Sequence, residues 1–235
     1  MKKMLQKLNK KNAFVASMML VTAMSANGDD FTDRTETAYM FADYGLGTYK
    51  SLLVESNDTM GIVTYGLGTN AGQNKNLGIE YRVESQSVSF ALSQSTFTSV
   101  WTSNIFKYRL WAFELGPVIG SVKMKATRAG TEIFDLVGSG YGGYFGMNLP
   151  VGKNSSLYFN GMSVSTGEAL DKQQRVITVG SRLDLELGTR IAITRKSIDF
   201  VTGYRRRSNS ITEGGASYNE LQTATFLGFN AGMDF

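Results

Sequence analysis

The chain of 235 residues has no cysteine, no histidine and only two prolines. Without cysteine there can be no disulfide and no lipid-modified cysteine anchor. Without histidine the commonest general base and orienting group is missing. Beyond residue 26 there is no convincing amphipathic helix, linker, low-complexity tract or long-period repeat, so nothing argues for more than one domain. The apolar stretch Ala13 to Ala23 is too short to cross a membrane as a helix. Behind Lys2, Lys3, Lys7, Lys10 and Lys11 it reads as an export signal, with cleavage expected between Ser25 and Gly28. Removing the signal takes five of the 24 basic residues and none of the 20 acidic ones, leaving 19 against 20 and a net charge of about −1. The basic excess of the full chain therefore says nothing about nucleic acid.

What is present is alternation with a period of two. Ten segments carry it, separated by turn chemistry: Tyr39 to Tyr49, Ile62 to Ala71, Leu77 to Ser93, Val100 to Leu110, Phe113 to Met124, Gly138 to Leu149, Ser156 to Ser165, Arg175 to Thr194, Ser197 to Arg207 and Leu221 to Phe235. In Arg182, Leu183, Asp184, Leu185, Glu186, Leu187 charge and leucine alternate without exception. Glu80, Arg82 and Glu84 alternate likewise with Ile79, Tyr81 and Val83, and Asp199 and Arg205 with Ile198, Phe200 and Tyr204. Successive side chains on a strand point to opposite faces, so each segment has one charged face and one apolar face. The last segment does the same. Leu227, Phe229, Ala231, Met233 and Phe235 share one face, while Gly228, Asn230, Gly232 and Asp234 share the other.

This terminal pattern, ending in Phe235 with Phe229, Ala231 and Met233 at alternate positions before it, resembles the C-terminal strand of Gram-negative outer-membrane β-barrel proteins. No motif identifies a particular family among them. The resemblance implies an all-β fold, a transmembrane antiparallel up-and-down barrel in the outer membrane. It also implies that Phe229, Ala231, Met233 and Phe235 form a signal read by the barrel-assembly machinery, and that the last strand closes against the first. The division expected is a signal peptide over residues 1–26, an N-terminal periplasmic segment over 27–36 and the barrel over 37–235. Ten strands satisfy the even count of bacterial single-chain barrels, with eight or twelve as alternatives, because Leu77 to Ser93 and Arg175 to Thr194 are long enough to hide a bend or a hairpin. Gly72 to Asn76, Leu110 to Phe113, Pro150 to Asn154 and Arg195 to Lys196 are then periplasmic turns. Ser51 to Met60, Gln94 to Ser99, Lys125 to Val137, Thr166 to Gln174 and Ser208 to Glu220 are the longer external loops.

An Arg or Lys facing lipid at the bilayer midplane costs about 2 to 4 kcal/mol, so the charged faces must point into the barrel. There Arg82, Arg109, Arg182 and Arg205 can be neutralised by Glu80, Glu84, Glu114, Asp184, Glu186 and Asp199, giving a packed polar network in preference to an open water column. Gly66, Gly68, Gly142, Gly146, Gly228 and Gly232 are assigned to inward faces, where a small radius leaves least room. Pro117 removes a ladder donor, so a bulge is expected there. Arg205 to Arg207 are placed at the external end of their strand, in reach of lipopolysaccharide phosphates or water. Leu136 and Val137 belong to an apolar loop at the membrane rim. Gly138, Gly140 and Gly143 match the dinucleotide fingerprint in spacing, but strand alternation continues past them and no helix opens.

The histidine-dependent enzymes known on small outer-membrane barrels cannot be carried over to a chain without histidine. Asp184 and Glu186 could form a carboxylate pair, yet Arg182 beside them fits a salt bridge better. No metal or cofactor is implied. The expected function is a non-enzymatic barrel contributing to envelope integrity or limited small-solute passage, with outer-membrane lipid and lipopolysaccharide as surroundings. The alternatives are a receptor or adhesin acting through its external loops, and a passage for small hydrophobic molecules.

Overall fold

The computed structural model describes residues 37–51, 54–71, 76–90, 95–152, 154–170, 176–193, 198–213 and 216–233. The expected signal peptide, the segment 27–36 and Phe235 lie outside them. The strands are β1 (Ala38–Ser51), β2 (Val54–Ala71), β3 (Leu77–Phe90), β4 (Ser95–Leu110), β5 (Phe113–Arg128), β6 (Thr131–Pro150), β7 (Ser155–Thr166), β8 (Glu168–Leu170), β9 (Val176–Ala192), β10 (Ile198–Glu213) and β11 (Ala216–Met233). Neighbours pair antiparallel all the way round, and β11 returns to β1 with Ala42 opposite Phe229. The short β8 follows β7 along the same edge of β9, so the two make one wall segment and the closed barrel has ten strands. Closure removes the unpaired edges that lipid could not satisfy.

Strand parity decides what each wall position meets. On the outside, Leu67, Leu77, Ile79, Leu115, Ile119, Leu227 and Phe229 are about half exposed or more. On the inside, Glu80, Glu84, Arg182, Asp184, Glu186 and Arg205 are buried. A fold that exposes leucine and buries charge is built for a lipid solvent. Among the described residues no helix is long and apolar enough to cross a membrane.

Part-way along β3 and β5 the polarity reverses while the period of two continues. On β3 the outward side runs Leu77, Ile79, Tyr81 and then Ser87, Ser89, while the inward side runs Glu80, Glu84, Gln86 and then Val88, Phe90. On β5 the outward Phe113, Leu115 and Ile119 give way to Lys123, and the inward Glu114 to Val122 and Met124. The inward apolar residues beyond this point, among them Tyr49, Met60, Phe97, Trp101 and Leu136, pack into a continuous core. This end of the barrel is organised like a soluble protein and stands clear of the apolar belt.

That core corrects several expectations. The segments read as long external loops are largely strand: β2 begins at Val54, β4 at Ser95 and β10 runs to Glu213. Their outward Ser and Thr residues mimic loop composition, but the inward apolar side chains hold them in the ladder. Between β5 and β6 the connection is the two-residue turn Ala129–Gly130, both with positive φ (49° and 81°), as a tight hairpin of type I′ demands. Leu136 is buried inside and does not lie on the membrane rim. Pro117 makes no register shift: Ile105 pairs with Val118 and Tyr108 with Leu115 in the same register, and only the intervening pairs are missing. The shifts fall instead at Lys50/Ser51, Ala126/Thr127 and Asn209/Ile211, all in the external part. Among the described residues Leu77 to Ser93 and Arg175 to Thr194 contain single strands, β3 and β9, and no extra hairpin.

The inward glycines sit where space runs out. A Cβ on Gly66 would lie 2.3 Å from the Tyr81 carbonyl and 2.5 Å from the Phe41 ring, and one on Gly68 would lie 2.3 Å from the Tyr39 ring. Those rings fold across the glycines toward the lumen and narrow it.

Candidate functional site in the lumen

Three charged clusters occupy the barrel below the apolar core. Nearest the end where β1 begins and β11 finishes, Glu80 accepts hydrogen bonds from Arg82 (2.8 and 3.0 Å), Lys107 (2.6 Å) and Tyr39 (2.7 Å). Glu114 accepts from Arg109 (Nε, 3.0 Å) and lies 3.5 Å from Lys107, which joins the two carboxylates. In the second cluster Arg205 reaches Glu186 at 2.7 and 2.9 Å, Asp43 at 3.1 and 3.2 Å, and Thr64 at 2.7 Å, with its guanidinium 4.6 Å from the Phe226 ring centre. Three strands of the wall, β1, β2 and β9, are tied to β10 through one side chain.

The third cluster crosses the lumen. Arg182 on β9 and Arg207 on β10 both bond Glu84 on β3, on the far wall, and both bond Asp184. Arg207 also donates to Gln86 (3.3 Å) and Gln222 (3.4 Å), and Arg182 stacks 4.3 Å from the Trp101 ring. All four charged members are over nine-tenths buried. Above them Tyr49 and Asn209 hold Glu220, at the floor of the apolar core. Removing one partner from a buried pair costs about 3 to 5 kcal/mol, so these contacts act as struts fixed across the bore.

All ten residues assigned to the lumen from sequence, Glu80, Arg82, Glu84, Arg109, Glu114, Arg182, Asp184, Glu186, Asp199 and Arg205, lie on inward faces. All but Asp199 divide among the clusters rather than forming one. Asp199 is buried on β10. Asp43, Lys107, Arg207 and Gln222 complete the network and were not anticipated. Arg207 shares the parity of Arg205 and Asp199, which was the available signal; it points inward, not toward external phosphates, and of the arginine triplet only Arg206 is exposed. Asp184 and Glu186 are each held by arginine, so neither is poised as a base. Among the described residues no cluster of His, Cys, Asp and Glu could hold a metal ion. A cavity of about 310 Å³ remains toward the end where β1 begins and β11 finishes, between Tyr39, Lys107, Glu114, Tyr158 and Arg205.

A closed ten-strand barrel with an uncharged apolar belt outside and charge inside is an outer-membrane β-barrel. No family model matches the sequence, and no curated protein does. Solved structures do match in shape. Neisserial surface protein A is 12% identical, with 84% of this chain covering 97% of that one at a TM-score of 0.39. The β domain of the Bordetella autotransporter BrkA is 9% identical, covering 83% and 99% at 0.49. The outer-membrane protease OmpT of Escherichia coli is 9% identical, covering 89% and 100% at 0.47. No residue role is carried from any of them to this chain.

Proposed function

We propose that this chain is a non-enzymatic outer-membrane barrel that contributes to envelope integrity and does not conduct ions freely. The observation that carries this reading is the double closure of the lumen: Arg182 and Arg207 are strapped to Glu84 across the bore, and Met60, Trp101 and Met124 fill the space above them. Solute from the periplasm would reach the 310 Å³ cavity and stop at Arg205. On this reading residues 1–26 direct export, and Phe229, Ala231, Met233 and Phe235 are read by the barrel-assembly machinery. The turn Ala129–Gly130 is two residues long and offers no loop for an adhesin at that connection.

The test is single-channel recording on the refolded barrel in a planar bilayer. No unitary steps are expected; a steady open level would contradict closure. For assembly, Phe235→Asp should give a periplasmic, protease-sensitive chain in place of a heat-modifiable outer-membrane one.

A further inference from the structure

Among the described residues the outward charges of the wall gather toward one rim of the barrel. From Met40, Leu67 and Phe229 up to Leu46, Val63 and Leu227, the described outward positions carry no charge. Directly above that belt, where the polarity reverses, exposed Lys50, Lys123 and Arg206 appear. Two of these cations converge. Arg206 on β10 is opposite Thr223 on β11, which is opposite Thr48 on β1, and Lys50 is two residues beyond Thr48 on the same face. With strands about 4.8 Å apart and a rise of about 3.4 Å per residue, the Cα atoms of Arg206 and Lys50 stand roughly 12 Å apart, and both side chains are long enough to meet over Thr223. The Thr48 and Thr223 hydroxyls sit between them, 3.1 Å from each other. Among the described residues neither Lys50 nor Arg206 has a carboxylate partner.

We propose that Lys50, Arg206, Thr48 and Thr223 bind the phosphorylated headgroup of a lipid whose acyl chains lie along the belt below. The belt lies just below the site: Leu46, Leu227 and Tyr204 are two to four residues down the same three strands and exposed, with Thr225 between Thr223 and Leu227. A phosphate between a guanidinium and an ammonium accepts charge-assisted bonds from both and one from a threonine hydroxyl. A soluble anion would use only the upper half of this arrangement. The apolar lower half commits the site to a membrane lipid, one with phosphate on the external leaflet.

The test is native mass spectrometry of the folded, detergent-solubilised barrel titrated with lipid A bearing two phosphates, and separately with enzymatically dephosphorylated lipid A. Retention of the phosphorylated form should weaken about tenfold in Lys50→Gln/Arg206→Gln, the loss of one charged hydrogen bond or more. Dephosphorylated lipid A should bind the unaltered protein as weakly, and Lys123→Gln, on β5 across the barrel, should behave as wild type. Equal retention of both lipids by the unaltered protein, or of phosphorylated lipid by the double variant, would overturn the proposal. Displacement by equimolar inorganic phosphate would instead mark a site for free anions and overturn the commitment to lipid. The unaltered-protein arms decide the matter even if the double variant does not fold. None of these outcomes depends on whether the lumen conducts.

Discussion

The two ends of β3 obey the same alternation and opposite chemistry. In its lower half leucine and tyrosine face out and glutamate faces in; in its upper half serine faces out and valine and phenylalanine face in. Only the solvent has changed. Where lipid surrounds the wall, burial of charge inside a closed barrel is the tolerable arrangement, and where water surrounds it the ordinary hydrophobic core returns. The level of the switch on β3 and β5 therefore marks one boundary of the apolar belt. It also divides the labour of closing the bore, with ion-pair struts below and apolar packing above.

The comparison can be broken most severely in the lower half. Glu84→Ala removes the shared acceptor of Arg182 and Arg207 and leaves two buried cations; destabilisation of about 3 to 5 kcal/mol is expected by urea titration in micelles. In the upper half Met60→Ala, at a fully buried position, should cost about 2 to 5 kcal/mol through the cavity it leaves, without admitting ions. A charge placed on the outside sharpens the contrast. Tyr81→Arg should cost about 2 to 4 kcal/mol in lipid vesicles, whereas Ser87→Arg, six residues along the same face, should cost no more than about 1 kcal/mol. Equal costs for the two would put the boundary elsewhere.

The lower half was legible in sequence because its signal is strong: Arg182 to Leu187 alternates charge with leucine, and lipid forbids the opposite orientation. Closure of the last strand on the first followed from the same reasoning. The upper half was harder because Ser95, Thr96 and Thr98 read as loop when the expected outward face is apolar. Phe97 was present as the counter-signal, with unbroken parity. Arg207 was misplaced for the same reason, its strand being taken to end where the membrane does. The partition of nine of these inward charges into three clusters depends on cross-barrel distances between β3 and β9 or β10, which no local pattern encodes.

The absence of cysteine makes the central claim directly measurable, since single cysteines can be introduced along β3 and tested with a membrane-impermeant maleimide on the barrel folded in vesicles. Cysteines at Ser87 and Ser89 should react, and those at Ile79, Tyr81, Val88 and Phe90 should stay protected until the protein is unfolded. Reaction at positions 88 and 90 with protection at 87 and 89 would mean that the strand keeps one polarity throughout, and the account of a wall that reverses at the membrane surface would fail.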